Sequence, residues 1–439
     1  MQPVLGCIVF LGLVVSGAAF ADGGSCLPSA DGANPCPTPF RRPVVAPLSA
    51  MAQIGKQIFY DKGLSGSGRL ACASCHDPVH HYGPPGGDSV FLGGLTLGQQ
   101  GRRAVPTLTY IERRTNFSIG PDNAVSEEAP PPPRADGVPA ARGAKNVGNT
   151  GASAANLVPQ GGLFWDGRAD TLQQQATGPL YDPAEMASSP TITMKRLEHA
   201  PYAGQLRLLA GLPVTGSGPV LLAEAMFALA RYQIEEPGFH AYSSKYDAWL
   251  EGKAWFTPEE RLGYVLYNDP MKGNCAACHL DRVQADGLPP VFSDHQYEAL
   301  GVPRNRDLAL NRDPVRYDLG VCDAVPRGRK TEAAYCGMFA TPTLRNVATR
   351  KVFFHNGVFH TLDRVMEFYA LRDLEPGRFY PRGADGKVMA QDDLPAQYVA
   401  NLDRTDAPFD RQPGKAPALN EAERKAIIAF LGTLTDGWR

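Results

Sequence analysis

Two short stretches of this chain hold the residues best suited to chemistry. LACASCHDPVHHYG (70–83) contains Cys72, Cys75 and His76, and NCAACH (274–279) contains Cys275, Cys278 and His279. Cys-x-x-Cys-His is the pattern in which two thiols add to the vinyl groups of haem and the adjoining histidine sits under the iron. A thioredoxin-like redox pair would need only the cysteines. A four-cysteine zinc site would need the two pairs to meet in space and could ignore both histidines. With 9 Cys and 9 His in 439 residues, composition alone would produce roughly 0.004 such units. Two of them therefore predict two covalently bound haem c groups, with His76 and His279 as iron ligands.

Export fits that chemistry. The first 21 residues read as a secretory signal: an apolar stretch from Val4 to Val15, small residues, and a cleavage site at Ala19-Phe20-Ala21, although no Lys or Arg precedes the stretch. The stretch is shorter than the ~20 residues that a membrane span needs, and Cys7 leaves with the signal. A soluble periplasmic protein with no later membrane span is expected. A formal net charge of −2 gives no basic surface for nucleic acid. In an oxidising compartment the four remaining cysteines pair locally, Cys26 with Cys36 and Cys322 with Cys336.

The elements that must position the two units form an internal repeat. IGKQIFYDKGLSGSGRLACASCH resembles LGYVLYNDPMKGNCAACH, each a short amphipathic helix with Gly-x-x-(Ile/Leu)-aromatic, then an Asp, a Gly-containing loop and the attachment motif. A helix is predicted over 218–236. Another opens at Thr257 as N-cap with Pro258 at its first position, and a third runs over 419–434 with Asn420 near its cap. No run shows sustained strand alternation. The fold class is mainly α: two cytochrome c-like domains, 48–245 and 246–439, after an N-terminal segment 22–47. Residues 115–160, rich in Pro, Gly, Ala and Asn, read as a long irregular excursion.

Two such domains in an exported chain resemble the bacterial dihaem cytochrome c peroxidases and their MauG-type relatives. GGLFWDGRADTLQQQATGPLYDPAEMA (161–187) is similar to the family segment between the haem motifs. FATPTLRNVATRKVFFHNGVFHTLDRVMEFY (339–369) is similar to the segment after the second. The resemblance implies that hydrogen peroxide reacts at the first-domain haem. It also implies that Glu185 is the distal proton-transferring carboxylate, that Pro179 walls the same pocket, that Gln175 supports the site and that Trp165 stands between the haems. Without the family match, Glu185 would read as a solvated residue and Trp165 as a core aromatic. Many of the peroxidases cap the first iron with a loop histidine, but Tyr82 to Arg103 contains none. His80 and His81 lie too close to His76 to reach its opposite face and read as solvated side chains, so an open iron is expected.

The second haem's other ligand divides the family. The resemblance places Tyr369 at that position, with Met366 and Met338 as fallbacks, and His355 beside the haem in a packing or hydrogen-bonding role. A thioether raises the potential and suits collection of electrons. A phenolate favours ferric and higher states and suits storage of oxidising equivalents. On helical spacing alone Tyr369 would be an ordinary core aromatic. Relatives often hold a calcium ion between the haems, largely on backbone oxygens, and this sequence leaves that ion a candidate only. Relatives that modify methylamine dehydrogenase carry a surface tryptophan before the second motif, where this chain has Gly273-Asn274. Three functions follow: a MauG-like enzyme oxidising a protein partner, with tryptophan a candidate target; a cytochrome c peroxidase fed by a small redox protein; or a dihaem electron carrier without catalysis.

Overall fold

The computed structural model describes residues 26–121, 157–284, 286–323 and 333–439. The expected signal, residues 1–21, and the middle of the excursion, 122–156, lie outside them. Among the described residues the helices are α1 (Ala50–Tyr60), α2 (Cys72–Cys75), α3 (Leu172–Tyr181), α4 (Pro190–Glu198), α5 (Ala203–Leu209), α6 (Gly218–Glu235), α7 (Lys245–Leu250), α8 (Pro258–Asn268), α9 (Leu362–Leu371) and α10 (Glu421–Gly432). The described strands are two to four residues long and pair as three antiparallel ribbons: β1 (Leu92–Gly93) with β2 (Gln99–Gln100), β3 (Ser118–Pro121) with β4 (Leu157–Gln160), and β5 (Tyr297–Glu298) with β6 (Phe339–Ala340). The helix-rich reading holds. The excursion is not irregular throughout, because its two ends meet in β3 and β4 with Ser118 opposite Gln160.

Local chemistry explains the helix limits. Thr257 accepts a hydrogen bond from Glu260 N at 3.2 Å while Glu260 Oε2 accepts from Thr257 N at 2.7 Å, a reciprocal cap at the start of α8. Asn420 and Glu423 do the same for α10. Apolar faces then collect into two main cores. One joins Ile54, Ile58 and Phe59 of α1 to Leu221, Ala225, Ala228 and Tyr232 of α6. The other joins Tyr264 and Tyr267 of α8 to Ile427 and Phe430 of α10, with Trp249, Phe292 and Phe368. Both helix pairs cross on a glycine. A Cβ on Gly55 would lie 1.9 Å from the Ala228 oxygen, and one on Gly263 would lie 2.0 Å from the Ala426 oxygen. The Gly-x-x-(Ile/Leu)-aromatic pattern thus serves close backbone approach at two crossings.

Sequence-distant segments tie the cores together. Residues 26–47 lie against the second core: Trp249 Nε1 donates to the Gly32 oxygen at 3.0 Å and Asn34 Nδ2 donates to the Trp249 oxygen at 3.1 Å. The Cys26–Cys36 and Cys322–Cys336 disulfides expected from export are both formed. Asp247 and Arg345 make a fully buried two-point ion pair, both contacts 2.8 Å. The guanidinium sits 5.0 Å from the Tyr110 ring and 4.8 Å from the Tyr242 ring, and Tyr110 in turn donates to Asp436 at 2.7 Å.

Removing one partner of a buried pair leaves a bare charge in a low-dielectric interior, which typically costs about 3–5 kcal/mol. Asp247→Ala is expected to lose stability on that scale in urea denaturation, whereas Lys425→Ala, which removes an exposed pair with Glu421, should leave the midpoint unchanged.

Candidate active site

The first cysteine–histidine unit is one helical turn. With Cys72 and Cys75 three residues apart in α2, both thiols share a face, and His76 closes the turn through its N–H to the Cys72 oxygen at 2.9 Å. His76 Nδ1 lies 3.1 Å from the Tyr82 oxygen. A carbonyl can only accept, so Nδ1 carries the proton and Nε2 keeps its lone pair for a metal. Burial pushes His76 down to about 4, so the ring is neutral at physiological pH. His80 turns away to Asp77, Nδ1 to Oδ2 2.8 Å, inside the turn that presents the Tyr82 carbonyl. It is a local strut, in keeping with its reading as a non-ligand.

The second unit repeats this arrangement. Cys275–Ala277 form a 3₁₀ turn, and His279 Nδ1 donates to the Phe292 oxygen at 2.9 Å. The Tyr267 hydroxyl holds the His279 carbonyl. Cys275, Cys278 and His279 line one wall of a large, mostly apolar cleft. Leu362, Val365, Met366 and Tyr369 of α9, spaced i, i+3, i+4 and i+7, line the same cleft. Tyr369 and Met366 both reach it, and burial raises the Tyr369 hydroxyl well above its usual range. Met338, the other fallback, does not line it: its side chain packs with Phe117, Tyr297 and Val321 in a neighbouring core. His355 faces the cleft, its ring stacked on Phe339 at 3.5 Å and 6°. Its buried Nε2 has no hydrogen-bond partner among the described residues, which suits a group that would meet a polar ligand edge. The cysteines outside a disulfide, the carbonyl-oriented imidazoles, the apolar walls and this His355 nitrogen together fit a haem.

Trp165 stands in the wall between this cleft and a second cavity that holds Pro106, Gln175, His295 and Arg350. Its Nε1 donates to the Ala104 oxygen and its carbonyl accepts from Ala340 N, both at 2.9 Å, so the indole is pinned from both halves of the chain. Beside it Arg103 bridges Asp166 at 2.5 Å and grips Asp318 with two contacts of 2.7 Å. Glu185 follows α3, its carbonyl accepting from Gly94 N at 2.8 Å. Burial, helped by the Asp182 carboxylate, lifts Glu185 to about 7, and its charge is felt at Cys75. Pro179 lies within α3 and its oxygen accepts from Met186 N at 3.0 Å. Glu185 thus lies near the first unit, Trp165 lines both cavities and Gln175 lines the second of them.

Sequence reasoning missed several supports. The carbonyls of Tyr82 and Phe292 have no side-chain signature. Gly93 does carry one: a Cβ there would lie 2.6 Å from the Glu185 oxygen, and the Gly93-Gly94 pair was the available hint. For calcium, no cluster of three or more His, Cys, Asp or Glu able to hold a metal occurs among the described residues.

Two thiol–histidine units of matched design, with an indole that lines both the cleft of the second unit and a neighbouring cavity, fit a dihaem oxidoreductase. The family profile described as di-haem cytochrome c peroxidase matches residues 49–255. Methylamine utilization protein MauG of Paracoccus denitrificans is 30% identical over 400 residues, 88% of this chain and 89% of that protein. Cytochrome c551 peroxidase of Nitrosomonas europaea is 28% identical over 329 residues, 74% of each. The crystal structure of the diheme peroxidase BthA from Burkholderia thailandensis superposes with a TM-score of 0.76 at 33% identity, covering 90% of this chain and 88% of that one. The chain belongs to the MauG/di-haem cytochrome c peroxidase family and is a haem peroxidase-type oxidoreductase.

Of the eight described cysteines, Cys72, Cys75, Cys275 and Cys278 are the four outside a disulfide. Alkylation of the denatured, unreduced, haem-free chain should label those four and spare Cys26, Cys36, Cys322 and Cys336, as read by peptide mass spectrometry.

Proposed function

We propose that this is an exported enzyme with two covalently attached haem c groups, one in each of two repeated domains (48–245 and 246–439). In this reading hydrogen peroxide reacts at the first, and the oxidising equivalents, shared with a second haem ligated by His279 and Tyr369, oxidise a protein partner, with tryptophan the candidate target. Cysteines outside a disulfide, spaced as Cys-x-x-Cys before His76 and His279, support covalent attachment, and the glycine crossings at Gly55 and Gly263 support the repeat. The two disulfides support a periplasmic location. The observation that carries the choice of reaction is Tyr369, a partly buried side chain lining the cleft that also receives Cys275, Cys278 and His279.

The chain's own residues account for the rest. Bound haem would supply the redox chemistry. His76 and His279 would each present Nε2, oriented by a carbonyl. Glu185, lifted to about 7 by burial, can accept a proton from peroxide and return it to the departing oxygen, a role worth ~10²–10⁴-fold in rate. Trp165, touching both cavities, would pass electrons between them. A second reading, a cytochrome c peroxidase fed by a small redox protein, is favoured by Met366, which lines the same cleft. The relatives include both kinds of protein.

Two measurements test this. The peroxide reaction needs Glu185 as carboxylate, so its rate should fall as pH drops through about 7. Glu185→Gln should slow it by ~10²–10⁴-fold and abolish that pH dependence. For the ligand, Tyr369→Phe should abolish the low-spin ferric signal of the second haem in electron paramagnetic resonance, while Met366→Leu leaves it unchanged. The reverse result would establish the cytochrome c peroxidase reading.

A further inference from the structure

Behind the first cysteine–histidine unit lies a set of phenols that the mechanism above does not use. Tyr82, whose carbonyl fixes His76, stacks its ring on Phe239 at 3.7 Å and 21°. Its hydroxyl shares a hydrogen bond with that of Tyr232. Phe59 packs at the centre, 5.9 Å from the Tyr82 ring, 5.4 Å from Tyr232 and 5.4 Å from Tyr60. Four of these rings are buried, but Tyr60, the last residue of α1, is 46% exposed, the most open tyrosine among the described residues. Packing alone explains the buried rings. It does not explain why a row of oxidisable phenols starts at the carbonyl that orients His76 and ends in water.

We propose that Tyr60 is a surface outlet for oxidising equivalents, reached from the first haem site through Tyr82 and Tyr232, and that small phenols in solution are its reductants. This rests on the peroxide-reactive reading of that site. Tyr60 gives one electron inward and its phenolic proton to solvent. Tyr82 and Tyr232 act only as relays, and their shared hydrogen bond keeps the proton of either ring within reach, so both return to their starting state. A small phenol then restores Tyr60 by giving it one electron and one proton. Without such a reductant, two Tyr60 radicals on different molecules couple through ring carbons. The balance is then one H₂O₂ and two tyrosines giving two H₂O and one dityrosine, with peroxide as the sole oxidant.

The test is peroxide treatment of the holoenzyme without a partner protein, followed by dityrosine fluorescence, denaturing electrophoresis and cross-link mapping by mass spectrometry. The expected result is a covalent dimer joined through Tyr60. It should be lost in Tyr60→Phe, diminished in Tyr232→Phe, suppressed by added 4-hydroxyphenylacetate and retained in Tyr181→Phe. No dityrosine in the wild type, a cross-link at another tyrosine, or an undiminished dimer in Tyr60→Phe would overturn the outlet. The haem spectrum separates the two ideas. If it responds to peroxide and the dimer fails, only the outlet falls; if it does not respond, the peroxide-reactive reading falls with it.

Discussion

His76 and His279 each give the Nδ1 proton to a backbone carbonyl, of Tyr82 and Phe292, and this bond decides which nitrogen is left to meet a metal. Much of the surrounding structure is needed to place those two oxygens. The turn over Asp77 to Gly83, with Tyr82 at φ +53°, holds the first. Phe292, at φ +54° and wholly buried against Tyr246 and Tyr267, holds the second. Backbone strain of this kind persists only where neighbours over-determine it. Here those neighbours are the aromatic cores, so the packing of each half and the orientation of its imidazole are one problem.

The same logic separates the two sites. The first has a carboxylate near neutrality in Glu185, raised because burial disfavours its charge. The second has an oxygen and a sulfur side chain one helical turn apart, Tyr369 and Met366, in an apolar wall. In the reading proposed above, the first environment serves proton traffic and the second holds a metal centre closed. Trp165, anchored by one bond to Ala104 and one from Ala340, belongs to neither half alone, and the Arg103–Asp166–Asp318 bridge beside it makes the wall a shared, charged seam.

Much of this was legible in the sequence, for physical reasons that differ by residue. Cys-x-x-Cys-His is readable because attachment needs three groups within one turn. Thr257 and Asn420 are readable because caps are local. The place of Tyr369 came from family resemblance, since helical spacing alone would have left it in the core. Not readable were contacts whose partners lie far apart: Arg103 is 63 residues from Asp166 and 215 from Asp318. Nor was the pairing of β3 with β4, because four-residue strands containing Pro and Gly show no alternation. The glycines of the repeat were visible, but their reason, two crossings too tight for a methyl group, needed the packed helices.

The long-range ties at Gly32, Tyr110 and Asp436 bear on how separable the halves are. The loop closed by Cys26 and Cys36 seats on Trp249, and Tyr110 reaches across to Asp436, within four residues of the chain's last position. Neither half is therefore a portable module. Cutting the chain near residue 245 would strip the second core of its N-terminal cover and leave the Arg345 guanidinium without its Tyr110 face. The architecture resembles a garment fastened at both hems more than two beads on a string.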